Sequence, residues 1–152
     1  MAYKLPNPER ERTERNRELK RLRTKTDPGR ERAERAAELA VWFHDERSIN
    51  HVMELAQLVL DDVDDGVEVL LDAYLDDVRG VEDQMERLAM LANVGRWIDE
   101  ADLEAAARAR GADAAARWTG AVGDEIERAE RLTVVERRFD AELREAVQRQ
   151  LA

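Results

Sequence analysis

Apolar positions recur at steps of three and four along most of the chain. In the last third they are Trp118, Val122, Ile126, Ala129, Leu132, Val135, Phe139, Leu143, Val147 and Leu151. That spacing predicts one long helix running to the C-terminus, with Gly120 and Gly123 as its weak points. Farther upstream, Ala33, Ala36, Ala37, Ala40, Val41 and His44 form a second stripe, widened by Leu39, Trp42 and Phe43. Ser48 is placed to cap a third helix that ends near Arg79-Gly80. Val81, Met85, Leu88, Ala89 and Ala92 mark a fourth helix stopping near Gly95, and Asp99 caps a short Ala-rich helix that ends at Arg110-Gly111. No run alternates with the period of a strand. The pattern predicts an all-α fold, an elongated helical bundle with a long C-terminal helix.

The first residues break this pattern. MAYKLPNP reads as extended because of Pro6 and Pro8, with Tyr3 and Leu5 as its anchors. Asn7-Pro8 then makes a good cap and first position for a helix. ERERTERNRELKRLRTK alternates charge at helical spacing, and only Leu19 and Leu22 in it are apolar. Such a helix has no face to bury and needs a partner. Asp27-Pro28 starts the next helix by the same cap logic. The expected division is a basic arm over residues 1–27 and an acidic helical bundle over 28–152.

The stretch LVLDDVDDGVEVLLDAYLDDV, Leu58 to Val78, raises a question of chemistry. As a calcium loop with Gly66 at its sixth position, it places Asp61, Asp65 and Asp72 at positions one, five and twelve. Val63 then falls at position three, where it cannot coordinate, and Glu68 falls where such loops bury an aliphatic residue. As a helix, Ile49, Val52, Ala56, Val59, Leu60, Val63, Val67, Leu70, Tyr74 and Val78 share one arc of about 120°. Glu54, Asp61, Asp65, Glu68, Asp72 and Asp76 share the opposite one. The phase survives Gly66, which predicts a continuous or slightly kinked helix with an acidic outer stripe. Like charges at Asp61–Asp65, Glu68–Asp72 and Asp72–Asp76 each cost such a helix roughly 0.2–0.5 kcal/mol.

Charge suggests what could relieve that cost. The formal net charge is −10, yet residues 1–35 carry 12 basic against 7 acidic side chains, and residues 36–152 carry 13 against 28. Salt, in a halophile, would screen the stripe. The sharper expectation is that the arm of one subunit, through Arg10, Arg12, Arg15, Arg17 and Arg21, lies against the acids Asp61, Asp65, Glu68, Asp72 and Asp76 of another. All but Lys4, Lys20 and Lys25 of the 25 basic residues are Arg, a Lys-poor usage that fits a high-GC genome as well as a halophile.

Candidate chemistry is sparse. There is no Cys, so neither a disulfide nor a thiolate metal site is available, and the single Ser, Ser48, stands in no nucleophile motif. His44, His51 and Glu54 could form a metal triad, but no paired helical metal motif accompanies them. Metal-dependent nucleotide hydrolysis needs inward carboxylates, and these face away from the apolar arc. No catalytic residue, metal ligand or cofactor is expected. Nucleic-acid binding through the Arg-rich arm stays open, against an acidic body that repels phosphate and an arm with no aromatic between its Arg. A polar N-terminus and no long apolar run argue against a membrane span or secretory signal. Most aromatics read as core. Trp97, between Arg96 and Ile98 just after Gly95, is the candidate interface anchor.

In size, composition and the helical layout of Pro28 to Ala152, the chain resembles head–tail connector (adaptor) proteins of tailed viruses. The resemblance carries no residue motif and transfers no functional residue. It implies a small helical bundle that forms a homo-oligomeric ring beneath a portal and grips other virion proteins through terminal segments. The expected function is thus structural, in assembly in the cytoplasm and in the virion. The alternatives are a DNA-binding or packaging accessory protein, and a metal-dependent nucleotide hydrolase.

Overall fold

The computed structural model describes residues 7–24 and 29–152. The described residues hold eight helices and no strand: α1 (Pro8–Thr24), α2 (Arg30–Asp45), α3 (Ile49–Asp62), α4 (Gly66–Leu75), α5 (Val81–Trp97), α6 (Ala101–Gly120), α7 (Glu125–Arg138) and α8 (Ala141–Leu151). The all-α expectation holds. The chain forms two compact units, Met1–Gly66 and Val67–Ala152. Asp27-Pro28, Tyr3 and Leu5 lie outside the described residues.

In the first unit α2 and α3 form a tight antiparallel pair. Small and β-branched side chains dominate its core: Ala33, Ala36, Ala37 and Ala40 from α2, and Val52, Ala56 and Val59 from α3, each 0–1% exposed, joined by the larger Leu39, Phe43 and Leu55. Small side chains let two helix backbones approach closely and still exclude water. The turn between them is a left-handed helix stop. Arg47 takes φ 60°, its amide bonds the carbonyl of His44, and the Ser48 amide bonds that of Phe43. Ser48 therefore starts α3 without a side-chain cap. Its hydroxyl instead bonds His51 Nδ1 at 2.8 Å.

Two sequence expectations need correction in this unit and at its edge. The first helix does have a buried face: Leu19 and Leu22 are 2% and 5% exposed. The predicted continuous helix over residues 49–78 is two helices. Val63 is extended (φ −140°, ψ 148°), Asp64 and Asp65 turn, and α4 begins at Gly66. The break has a cause in the sequence, since Asp61, Asp62, Asp64 and Asp65 crowd poor helix formers into five positions. Gly66 is needed because the chain doubles back on α3. A Cβ there would stand 2.9 Å from both Leu60 Cα and Val59 O.

In the second unit the long C-terminal helix is also absent. α6 ends at Gly120, and α7 and α8 follow as separate helices, the last only 11 residues long. Two aspartates set these starts. Asp124 accepts a hydrogen bond from the Ile126 amide at 3.0 Å, and Asp140 accepts one from the Leu143 amide at 2.8 Å. The helix expected to stop at Gly111 runs through it. A Cβ on Gly111 would lie 2.6 Å from Phe139 Cζ, so the glycine makes room for a ring from the α7–α8 turn. Gly95 lies in the last turn of α5, which ends near it, at Trp97, as the sequence predicts. It admits the backbone of α6, whose Glu104 nitrogen would be 2.6 Å from a Cβ. The stop comes at Asp99 (φ 56°), with the Glu100 amide bonded to Gly95 O and the Asp99 amide to Arg96 O.

Candidate functional site

The charged first helix and the surface that receives it are the most distinctive feature of the first unit. α1 starts as its sequence predicts. Asn7 Oδ1 accepts from the amides of Glu9 (3.1 Å) and Arg10 (3.3 Å) ahead of Pro8. Seven basic and four acidic side chains follow, with Lys20 exposed among them. A fully buried Leu contributes about 1.5–3 kcal/mol, so apolar docking of this 17-residue helix rests on two side chains, Leu19 and Leu22. Polar contacts do the rest.

The strongest is at the C-terminal end of α1. Arg23 donates through Nε and Nη2 to the two carboxylate oxygens of Glu54 at 2.6 and 2.7 Å, a two-bond fork. The guanidinium holds the Glu54 carboxyl below the usual carboxylate range by hydrogen bonding, and desolvation only partly opposes it. Arg12 reaches Glu46 at 3.4 Å, and the Arg15 guanidinium lies 5.9 Å from the centre of the Trp42 ring. Packing around that ring is loose. One hollow of about 260 Å³ opens between Arg15, Glu18 and Trp42, and another of about 330 Å³ between Arg12, Asn16, Trp42 and His51.

The arm residues therefore divide. Arg12 and Arg15 face α2, and Arg10 pairs within α1 with Glu14 at 3.4 Å. Arg17 and Arg21 are exposed, with no ion pair among the described residues. The acids of the expected stripe divide in the same way. All five are exposed, but the break at Val63–Asp65 splits them, leaving Asp61 and Asp65 in the first unit and Glu68, Asp72 and Asp76 in the second. Asp65 takes both oxygens to Arg30 Nη1, at 3.0 and 2.9 Å. Asp61 accepts from Gln57 at 3.1 Å, and Glu68 meets Arg110 at 3.0 Å. Asp72 and Asp76 have no cation among the described residues.

Trp97 ends α5 and is 40% exposed, beside the close crossing at Gly95. Ile126, read in the sequence as part of a core stripe, is 72% exposed. His44 is buried, and His51 packs its ring 4.6 Å from that of Phe43. Among the described residues no group of three or more His, Asp or Glu is placed to hold a metal ion. No described helix is long and apolar enough to cross a membrane.

Sequence reasoning missed the pairing of Arg23 with Glu54, which lie 31 positions apart. It also missed Trp42 as the ring that Arg15 of α1 approaches. No local spacing encodes either one. The only signal was that Leu19 and Leu22 stand three apart on an otherwise polar helix. No protein-family model matches the chain, and no curated protein or solved structure shows significant similarity to it.

Proposed function

We propose that the chain is a non-catalytic assembly subunit, an oligomeric connector of the head–tail adaptor kind that joins copies of itself and other virion proteins during assembly. The supporting observation is uncompensated charge of both signs on exposed side chains. Arg17 and Arg21 stand one turn apart on α1, and Asp72 and Asp76 stand in and just after α4, without ion pairs among the described residues. Exposed charges of opposite sign steer copies of a chain together and set register more than they add raw affinity. Trp97 supplies an aromatic anchor of the kind interfaces bury.

The test is the mass of the full chain by light scattering at low and high salt. Exposed charges more than a Debye length apart are screened, and that length falls from about 30 Å at 0.01 M to about 3 Å at 1 M. A connector held by these charges is an oligomer at low salt and a smaller species at high salt. A monomer under both conditions sinks the reading.

A further inference from the structure

We propose that α1 is an exchangeable element: it leaves its own α2–α3 pair and docks in the same place on a second copy, so that two chains clasp each other reciprocally. The proposal rests on the assembly reading above and gives it a partner, a surface and a mode of joining.

Three observations in the first unit carry it. First, α2 and α3 bring small buried side chains of their own together, Ala36, Ala37 and Ala40 with Val52, Ala56 and Val59, whereas α1 adds only Leu19 and Leu22 to the buried set. Second, α1 is held by little that is apolar and much that is ionic: Leu19 and Leu22, the Arg23–Glu54 fork, and Arg12–Glu46. Two hollows beside Trp42, lined by Arg12, Arg15, Asn16 and Glu18, leave the middle of α1 loosely packed. Third, the chain enters α2 through an extended residue. Gly29 has φ 169° and ψ 176°, with open space where a Cβ would be.

The receiving surface selects its occupant by charge. Glu46 and Glu54 lie along the path of α1, and the helix that fits them carries basic residues 11 positions apart, as Arg12 and Arg23 are. Eleven residues make three helical turns, so the two cations lie on one side of α1. Another copy of α1 satisfies that pattern in every contact, because exchange of an identical element re-forms the same bonds between chains. The exchange closes on itself with two-fold symmetry. Its equilibrium is set by protein concentration rather than by any new interface chemistry.

The experiment mixes two full-length variants, R23E and E54R. Each closed chain faces like charges at the fork, as does each variant exchanged with itself. A reciprocal exchange between the two variants sets the introduced acid of R23E against the introduced base of E54R in one clasp. In the other clasp it restores the native fork, Arg23 against Glu54. Native mass spectrometry of the mixture at low salt is expected to show the mixed pair at least tenfold above either like pair. The chain carrying both changes, R23E/E54R, restores the contact within itself and behaves as the wild type. Mixed pairs at or below the statistical proportion overturn the proposal. If either variant alone loses helicity, recovery of circular dichroism on mixing supports the exchange, and no recovery overturns it. An oligomeric wild type whose variants pair only statistically removes the exchange and leaves the assembly reading standing.

Discussion

Glycine positions test the packing most directly. No glycine occupies the left-handed region, so what matters is the space each one leaves. Gly95 faces the backbone of Glu104, which cannot move aside as a side chain can. Alanine would gain up to about 1 kcal/mol of helix propensity at this site, but the overlap pushes α5 and α6 apart and wins. Gly95→Ala is expected to lower stability by about 1–3 kcal/mol in urea denaturation. Gly123 has nothing within 4 Å, and Gly123→Ala is expected to be neutral or to add up to about 1 kcal/mol. Equal effects at the two sites would contradict the close crossing. Gly95 and Gly111 were visible in the sequence, but as helix stops. A glycine that admits a neighbouring backbone and one that ends a helix look alike until the neighbour is known.

Among the elements, the sequence was most legible where a cap or a stripe is local. Asn7-Pro8, the α2 stripe and the Ser48 boundary all fall where the pattern puts them. It was least legible where phase continues across a break. Val63 and Val67 kept the apolar register on either side of a turn, and Phe139 kept it between α7 and α8. In both places the better guide was aspartate, crowded at 61–65 and capping at 140. Asp140 also joins elements, since Arg108 of α6 donates to its carboxylate at 2.7 and 3.1 Å. That guanidinium, with the Leu143 amide, holds the Asp140 carboxyl below its ordinary range, as Arg23 does for Glu54. Both groups are more acidic folded than unfolded. Their contribution is therefore complete above about pH 4.5 and is lost as pH falls through the lowered folded values. The wild type is expected to lose more stability between about pH 5 and pH 3 than the Glu54→Gln/Asp140→Asn variant, which keeps a capping residue. Both pairs are partly exposed, so the difference is about half a kcal/mol. Identical pH profiles in urea melts would refute it.

Over the whole molecule, two electrostatic effects oppose each other. The net charge of −10 disfavours a compact chain through self-repulsion, while α1 is held by pairs that salt weakens. Repulsion sums over all charges, and the exposed pairs are worth little individually. The thermal midpoint of the full chain is therefore expected to rise between about 0.05 and 1 M sodium chloride, even as association weakens. A midpoint that falls with salt would mean that attraction between close pairs outweighs repulsion at a distance. This balance was only half legible in the sequence. The excess of acid could be counted, but which arginines would meet it within the chain could not.

The arm also has a chemical individuality that its arginines conceal. Lys4, Lys20 and Lys25 are the only lysines, and Lys20 projects from the exposed side of α1. An amine-selective acylating reagent would mark the first 25 residues and nothing after them. The mark on Lys20 would also delete a positive charge from α1 itself, a helix whose docking depends on charge. The same reagent is therefore both a label for α1 and a perturbation of it, without a single engineered residue.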